Sequence, residues 1–562
     1  MNMIEEAKKQ IDALVCRAYD SAAEKGLLPA GAELKGTTEI PKDPGHGDYA
    51  CSYAMSAAKA MRMAPRKIAE TLAGEIDFSG SWFDSVEVAG AGFLNFRLGD
   101  AWYAQVLKAV EDEGKDYGSV DEGHGKKVMV EFVSANPTGT MTIGNARGGV
   151  LGDAMASILE RAGWQVWREF YVNDAGNQVE LFARSVEARY IQLLQGEDAC
   201  EFPEDGYHGE DIKEIARLFR EQFGDGWLDK SPEERRQKMQ VFGIEYNIAK
   251  MKRDLERYGI VYDQWFRESS LHESGYVKET VDLLEQQGYT YEKDGALWFK
   301  LTDLGAEKDE VLRRSNGFYT YFAVDMAYHR NKFIQRGFDS VINVWGADHH
   351  GHAIRFAKSL PALGIEPDRL HFLLMQLVNL MRDGQAVRIS KRTGRAIALA
   401  DLLDEIPRDA VRFFFNAKPD THLDFDMDLA IRRDSENPVY YVQYAHARIC
   451  SLTAALAAEG HPVPKAAEVD FSLLTDETEK ALIKQLSLLP EEVRLAALNY
   501  DPSRINRFLI ELAGRFHRFY TACRIKDAPS GVLEARLKLA DSVRAVLALA
   551  LGIIGVSAPE KM

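Results

Sequence analysis

Apolar residues along this chain recur every three to four positions in some stretches and every second position in others, and the switches between the two mark its elements. The opening MNMIEEAKKQIDALV and the later GDYACSYAMSAAKAMRMAPRKIAETLAGEI keep helical spacing, whereas SVEVAGAGFLNFRL alternates like a strand pair around glycines. Past the polar linker EDEGKDYGSVDEGHGKK, the run Val128 to Val133 is apolar with one acid, Glu131. It breaks at Asn136, Pro137 and Gly139, and restarts near Ile143 as a helix of small residues lasting to about Trp164. Strand, loop and helix in that order build an open α/β sheet. A second strand, VWREFYV, runs into NDAGNQ and puts Asp174 and Gln178 at a carboxyl edge, where such sheets bind ligands. Residues from about 186 to 262 read as a charged helical insertion, ALWFKL and SVINVWG return to an apolar pattern, and from Ser435 the chain is nearly all helix.

The helix near Ile143 changes this picture from architecture to chemistry. Gly144, Ala146, Gly148 and Gly149 leave its first turns almost bare, so free backbone N–H groups and the helix dipole can meet a phosphate. A tight turn whose glycines serve only packing is the alternative. Downstream, Arg388, Lys391, Arg392 and Arg395 crowd around Ser390 and Gly394, a flexible cationic loop suited to polyphosphate. Tyr321 and Asp325 are four residues apart, which puts a phenol and a carboxylate on one helix face. A guanidinium needs such partners, and Glu131 and Asn136 could complete the pocket; a helix-terminal acid or surface salt bridge is the plainer reading of Asp325. His349, His350 and His352 invite a metal, but no second Cys or His cluster accompanies them, so no metal site is expected.

Composition bounds the partners. At 562 residues the chain holds several domains, and no run approaches the roughly 18 apolar residues of a membrane span. Its start is acidic and amphipathic, unlike a signal peptide, which predicts a cytoplasmic protein without a membrane partner. The five cysteines are scattered and read as reduced thiols. The net charge of -17 still allows a nucleic-acid partner if basic residues gather on one face. Arg504, Arg507, Arg515 and Arg518 fall within an arc of roughly 80° on one helix, beside an apolar face of Ile505, Phe508, Leu509, Leu512 and Phe516. Glu511 interrupts that track, so a solvated, salt-bridged face is the competing reading.

SANPTGTMTIGNARG resembles the first signature of class I aminoacyl-tRNA synthetases, usually written HIGH, and RISK resembles the second, KMSK. VEFVSANPTG, YVNDAGNQ, YFAVDMAYHRNKF, WGADHHGH, HLDFDMDLA, SENPVYYVQYAHARI and APEKM narrow the resemblance to the arginyl-tRNA synthetase family, over nearly the whole chain. It implies a multidomain α/β protein. An α+β N-terminal domain that contacts tRNA would cover residues 1–112, with Arg62, Arg66 and Lys67 as candidate phosphate contacts. A Rossmann-type parallel-sheet catalytic domain would cover 113–384, a connecting segment with the KMSK-like loop 385–434, and an all-α anticodon-binding bundle 435–562. Glu131, Ser134, Asn136, Tyr321 and Asp325 would hold L-arginine. Thr138, Gly139, Ile143, Gly144, Gly346, Asp348, His349, His352, Met375, Gln376 and Ser390 would hold ATP, accompanied by Mg²⁺ as part of the substrate. Lys391, Arg388, Asn145 and Thr142 would serve the phosphates, and Tyr441, Gln443, Tyr444, Arg504, Arg507, Arg515 and Arg518 would meet tRNA(Arg).

The implied reaction has two steps. The arginine carboxylate attacks the ATP α-phosphorus, giving arginyl-adenylate and pyrophosphate, and a terminal ribose hydroxyl of tRNA then takes the arginyl group. Positioning and charge stabilisation carry such chemistry, without a covalent enzyme intermediate or a tightly bound cofactor. Monomeric action is carried over from the resemblance. The sequence departs from the signature at its centre, with Thr142 and Asn145 where the family has histidines and Thr140 where proline is common. Losing one phosphate-directed donor costs about 3 kcal/mol, on the order of a hundredfold in rate. The expectation is a working synthetase; the alternatives are a non-catalytic tRNA-binding relative and a small-molecule ligase reusing the fold.

Overall fold

The computed structural model describes residues 2–387, 397–419 and 421–562. Five strands form a wholly parallel sheet in the order Leu370–Met375, Ser340–Gly346, Lys127–Glu131, Gln165–Val172, Gln264–Arg267. The chain enters at the central strand Lys127–Glu131, builds outward through Gln165–Val172 and Gln264–Arg267, then crosses back to Ser340–Gly346 on the other side. Strand order reverses there, and the reversal opens a crevice at the carboxyl ends of Lys127–Glu131 and Ser340–Gly346. Glu131 and Asn343 sit opposite each other across it.

The apolar run ends as a strand at Glu131, earlier than its hydrophobicity suggests. Val133 (φ 70°) and Ser134 (φ 45°) take left-handed backbone, which for non-glycine residues costs about 1 to 2 kcal/mol each. The helix Ile143–Arg161 follows. Helices Asn177–Gln195, Glu210–Phe223 and Pro232–Arg257 form the insertion, which begins directly after the NDAG turn. A small antiparallel sheet, Thr290–Lys293, Ala296–Phe299 and Glu310–Arg313, precedes the helix Tyr321–Arg330. Thr320 fixes that helix start by accepting a hydrogen bond from the Ala323 N–H.

Near the N-terminus a four-stranded antiparallel sheet and the helices Met3–Glu24, Tyr53–Met61 and Pro65–Glu75 enclose a separate core that includes Ile11, Leu14, Leu72, Phe83 and Phe96. At the other end the helices Pro438–Ala458, Glu477–Leu486, Leu489–Asn499, Ser503–Ala522 and Val532–Ile553 pack as a bundle. Buried Arg412 joins bundle to sheet layer: its guanidinium pairs with Asp153 of the helix Ile143–Arg161 and donates to the Ile554 carbonyl. Among the described residues, no helix is long and apolar enough to cross a membrane.

Candidate active site

A cleft of about 740 Å³ opens over the crevice. It gathers residues more than 200 positions apart in sequence, from Glu131, Ser134, Thr142, Gly144 and Asn145 to Tyr321, Asp325, Gly346, Asp348, His349, His352, Met375 and Gln376. Thr138, Gly139 and Ile143 do not line it, and Thr138 is buried beneath the loop. Asn136 is exposed outside it, its amide nitrogen donating to Gln178. Asp174 faces the neighbouring strand end instead, accepting from the Ser269 backbone N–H and hydroxyl at 2.9 Å each.

At one end lies the signature helix. Thr142 is its N-cap: the hydroxyl accepts from the Asn145 N–H at 3.2 Å, and Asn145 Oδ1 accepts from the Thr142 N–H at 2.9 Å. The two residues in place of the histidines thus satisfy each other and leave Asn145 Nδ2 to donate outward. Of the small residues in the first turns, Gly144 lines the cleft. Gly148 and Gly149 face packing instead, since a Cβ there would come within 3.2 Å of Met375 and 2.9 Å of Ile260. Buried Arg147 ties down the turn after the strand Leu370–Met375 by donating to the Gln376 carbonyl at 2.7 Å. Lys391, Arg388 and Ser390 lie outside the described residues; the chain resumes beside the signature, where Ala398 bridges Thr142 and the Leu399 N–H donates to the Met141 carbonyl at 3.0 Å.

At the other end the cleft is acidic. Asp325 accepts from His352 Nε2 at 2.9 Å, and that imidazole stacks on Trp345 with ring centres 5.6 Å apart. Glu131 is only 5% exposed, with Ser134 Oγ donating to Oε1 at 2.9 Å and Lys332 Nζ to Oε2 at 2.5 Å. The sequence offered no sign of Lys332, which comes from the turn Asn331–Gln335 just after the helix Tyr321–Arg330. A third carboxylate, Glu268, is also 5% exposed; it accepts from Tyr171 Oη at 2.7 Å, and His272 stands off at 3.8 Å. Burial pushes the Tyr171 hydroxyl well above its ordinary pKa, and the charges of Glu268, Asp325 and Glu131 add to the rise. Tyr321 is 59% exposed at the mouth. Tyr171 was legible only as part of the strand VWREFYV, and no motif marked Glu268.

In the helical bundle, Gln443 is buried, its amide donating to Asp409 and to the Ser557 carbonyl at 2.9 Å each. Tyr441 lies against His517 and Tyr444 stays exposed. The arginines of Ser503–Ala522 all meet carboxylates: Arg504 with Glu492, Arg507 with Asp501, and Arg515 and Arg518 with Glu511. In the N-terminal unit, Arg66 pairs with Glu70.

Fold and cleft define a class I aminoacyl-tRNA synthetase. Residues 105–431 match the family described as tRNA synthetases class I (R), catalytic domain, and a methionyl-tRNA synthetase of Mycobacterium tuberculosis shares the fold at TM-score 0.55 and 14% identity, over 76% of this chain and 91% of that one. Curated arginine-tRNA ligases from Acetivibrio thermocellus and Caldanaerobacter subterraneus are each 53% identical over 562 residues, covering 100% of both chains. The chain belongs to the arginyl-tRNA synthetase family. Residues 7–98 match the arginyl tRNA synthetase N terminal domain, and residues 442–562 the DALR anticodon binding domain. The Thermus thermophilus arginyl-tRNA synthetase has the same fold, at TM-score 0.72 and 23% identity, over 99% of this chain and 100% of that one.

Proposed function

We propose that this protein activates L-arginine with ATP and transfers it to tRNA(Arg), with the acidic end of the cleft reading the guanidinium. The observation that carries the reading is a charge imbalance. Glu131, Asp325 and Glu268 line one cleft, and the only Lys or Arg ammonium or guanidinium bonded to any of them, among the described residues, is Lys332. A planar cation with five donors supplies what these acids lack. Glu131, Asp325 and Glu268 would take its N–H groups, Tyr321 would close over it, and Ser134 with the backbone after Glu131 would face the α-amino group.

The substrate carboxylate then points toward the signature helix. ATP, taken up as its magnesium complex, would lie with its phosphates against Gly144 and the Asn145 amide and its nucleoside beside Gly346, His349, His352, Met375 and Gln376. Lys391 and Arg388 would draw charge to the pyrophosphate side as the α-phosphorus bond breaks, a role for cations rather than for a base. The paired arginines of Ser503–Ala522 would exchange their carboxylates for tRNA phosphates. The same reading has the protein working as a monomer in the cytoplasm.

Charging of total tRNA with each amino acid in turn tests this. Arginine alone should be esterified, and Lys391→Ala and Asp325→Ala should each abolish it. Tight tRNA binding without charging of any amino acid would mark Thr142 as the trace of a lost active site.

A further inference from the structure

Behind the acids of the cleft runs an unbroken buried chain of hydrogen bonds. Lys332 Nζ donates to Glu131 Oε2 at 2.5 Å and to Asn343 Oδ1 at 3.2 Å. Asn343 Nδ2 contacts His329 Nε2 at 2.8 Å, and His329 Nδ1 contacts the Asp325 carbonyl at 2.8 Å. A carbonyl only accepts, so the imidazole proton sits on Nδ1 and Nε2 receives the Asn343 amide proton. Burial, with the Lys332 charge second, holds the His329 pKa well below its ordinary value, in keeping with a neutral ring.

Lys332, Asn343 and His329 are 0%, 0% and 1% exposed. They come from three elements: the π-helical turn Asn331–Gln335, the strand Ser340–Gly346 and the helix Tyr321–Arg330. The chain therefore joins the Glu131 carboxylate on the central strand to the backbone of Asp325 on the helix, across the crevice where the strand order reverses. Lys332 Nζ also lies 4.0 Å from the centre of the Tyr328 ring, which closes its remaining side.

We propose that Lys332, Asn343 and His329 are positioning residues that fix the separation of Glu131 and Asp325 to suit a guanidinium, and so select arginine over cations of other shape. The inference rests on the arginine reading of the cleft. A buried ammonium is a poor way to hold a core, because well-packed apolar side chains in its place are often as stable. A fully satisfied buried polar network instead holds one geometry. Geometry is what this substrate demands, since a rigid planar fork binds two carboxylates only at a set spacing, whereas a compact ammonium on a flexible stem tolerates several.

Aminoacylation by the full-length protein, with arginine and ATP varied separately, reads the effect. Lys332→Met is expected to raise the arginine KM about tenfold or more while the ATP KM moves less than about twofold. The double variant Lys332→Met with His329→Phe should be no worse than Lys332→Met alone, because both cut one chain. An unchanged arginine KM, equal rises in both KM values, or full additivity in the double variant overturns the proposal. Should Lys332→Met give no cooperative thermal transition, His329→Phe decides. A rise of about threefold or more in its arginine KM at constant ATP KM supports the proposal, and no rise overturns it. Wild-type protein that does not charge tRNA with arginine would bring down the substrate reading and this proposal together; intact wild-type charging with unmoved variant KM values sinks the proposal alone.

Discussion

Charged residues behave differently in two regions of this molecule. In the cleft, Glu131 and Glu268 are almost closed off from water and meet the distant Lys332 and Tyr171, and the half-buried Asp325 meets His352. On the helix Ser503–Ala522, Arg507 and Arg518 face solvent and Arg504 and Arg515 are half-buried, and all four take carboxylates from their own helix or from the stretch before it. The first kind of pair is costly to break, because it strands a charge in a dry place. The second is worth about 0 to 1 kcal/mol and can be traded for a phosphate without loss. Buried pairs hold one geometry, and exposed pairs are free to change partner.

The sharpest way to break that contrast is Asp325→Asn. Neutralising one partner of a charge pair that bound arginine would cover costs about 3 to 4 kcal/mol, so kcat/KM for arginine should fall by a few hundredfold or more while ATP binding stays near wild type. Glu268→Gln should follow with a loss of about ten- to a hundredfold, since Tyr171 can still donate to the amide oxygen. Equal losses for arginine and ATP in either variant would deny these acids a place in amino-acid recognition. Thr142→Ala probes the phosphate end, where the side chain caps a helix; the expected cost is about 1 kcal/mol of stability, seen as a lower Tm. Thr142→His restores the family's donor and should raise the charging rate on the order of tenfold despite the weakened cap.

Much of the fold was legible because its signals are local. The apolar run before Glu131, the bare helix after Ile143 and the amphipathic stripe from Ile505 to Phe516 each fit a single element. The family resemblance added site residues that no periodicity marks. What stayed hidden depends on contacts across the sheet. Lys332 looks like any helix-end lysine until the strand order brings it beneath Glu131, 201 positions away. Glu268 begins a six-residue helix with no motif of its own, and only the crevice gives it a role. Gln443 carries the opposite lesson: the resemblance set it among the tRNA contacts, yet its amide is held by Asp409 and Ser557.

The exposed half of the comparison yields to Arg507→Ala. Its partner Asp501 is opposed by burial, which raises its pKa, but the Ser503 hydroxyl and the Arg507 guanidinium outweigh that and hold the carboxyl below its usual range. A carboxyl depressed in the folded state adds stability that is fully present above its unfolded pKa near 3.9 and is lost as pH falls through the folded value. Removing Arg507 should therefore cost less than about 1 kcal/mol at neutral pH, and the gap to wild type should close below about pH 4. The same variant, read by tRNA binding, should show the larger effect: weaker affinity, and a plot of log K against log salt flatter by about one unit. A stability gap that persists at low pH would mean that Arg507 holds the helix by packing rather than by charge. An unchanged salt slope would leave it as surface decoration, with the bundle meeting tRNA through another face.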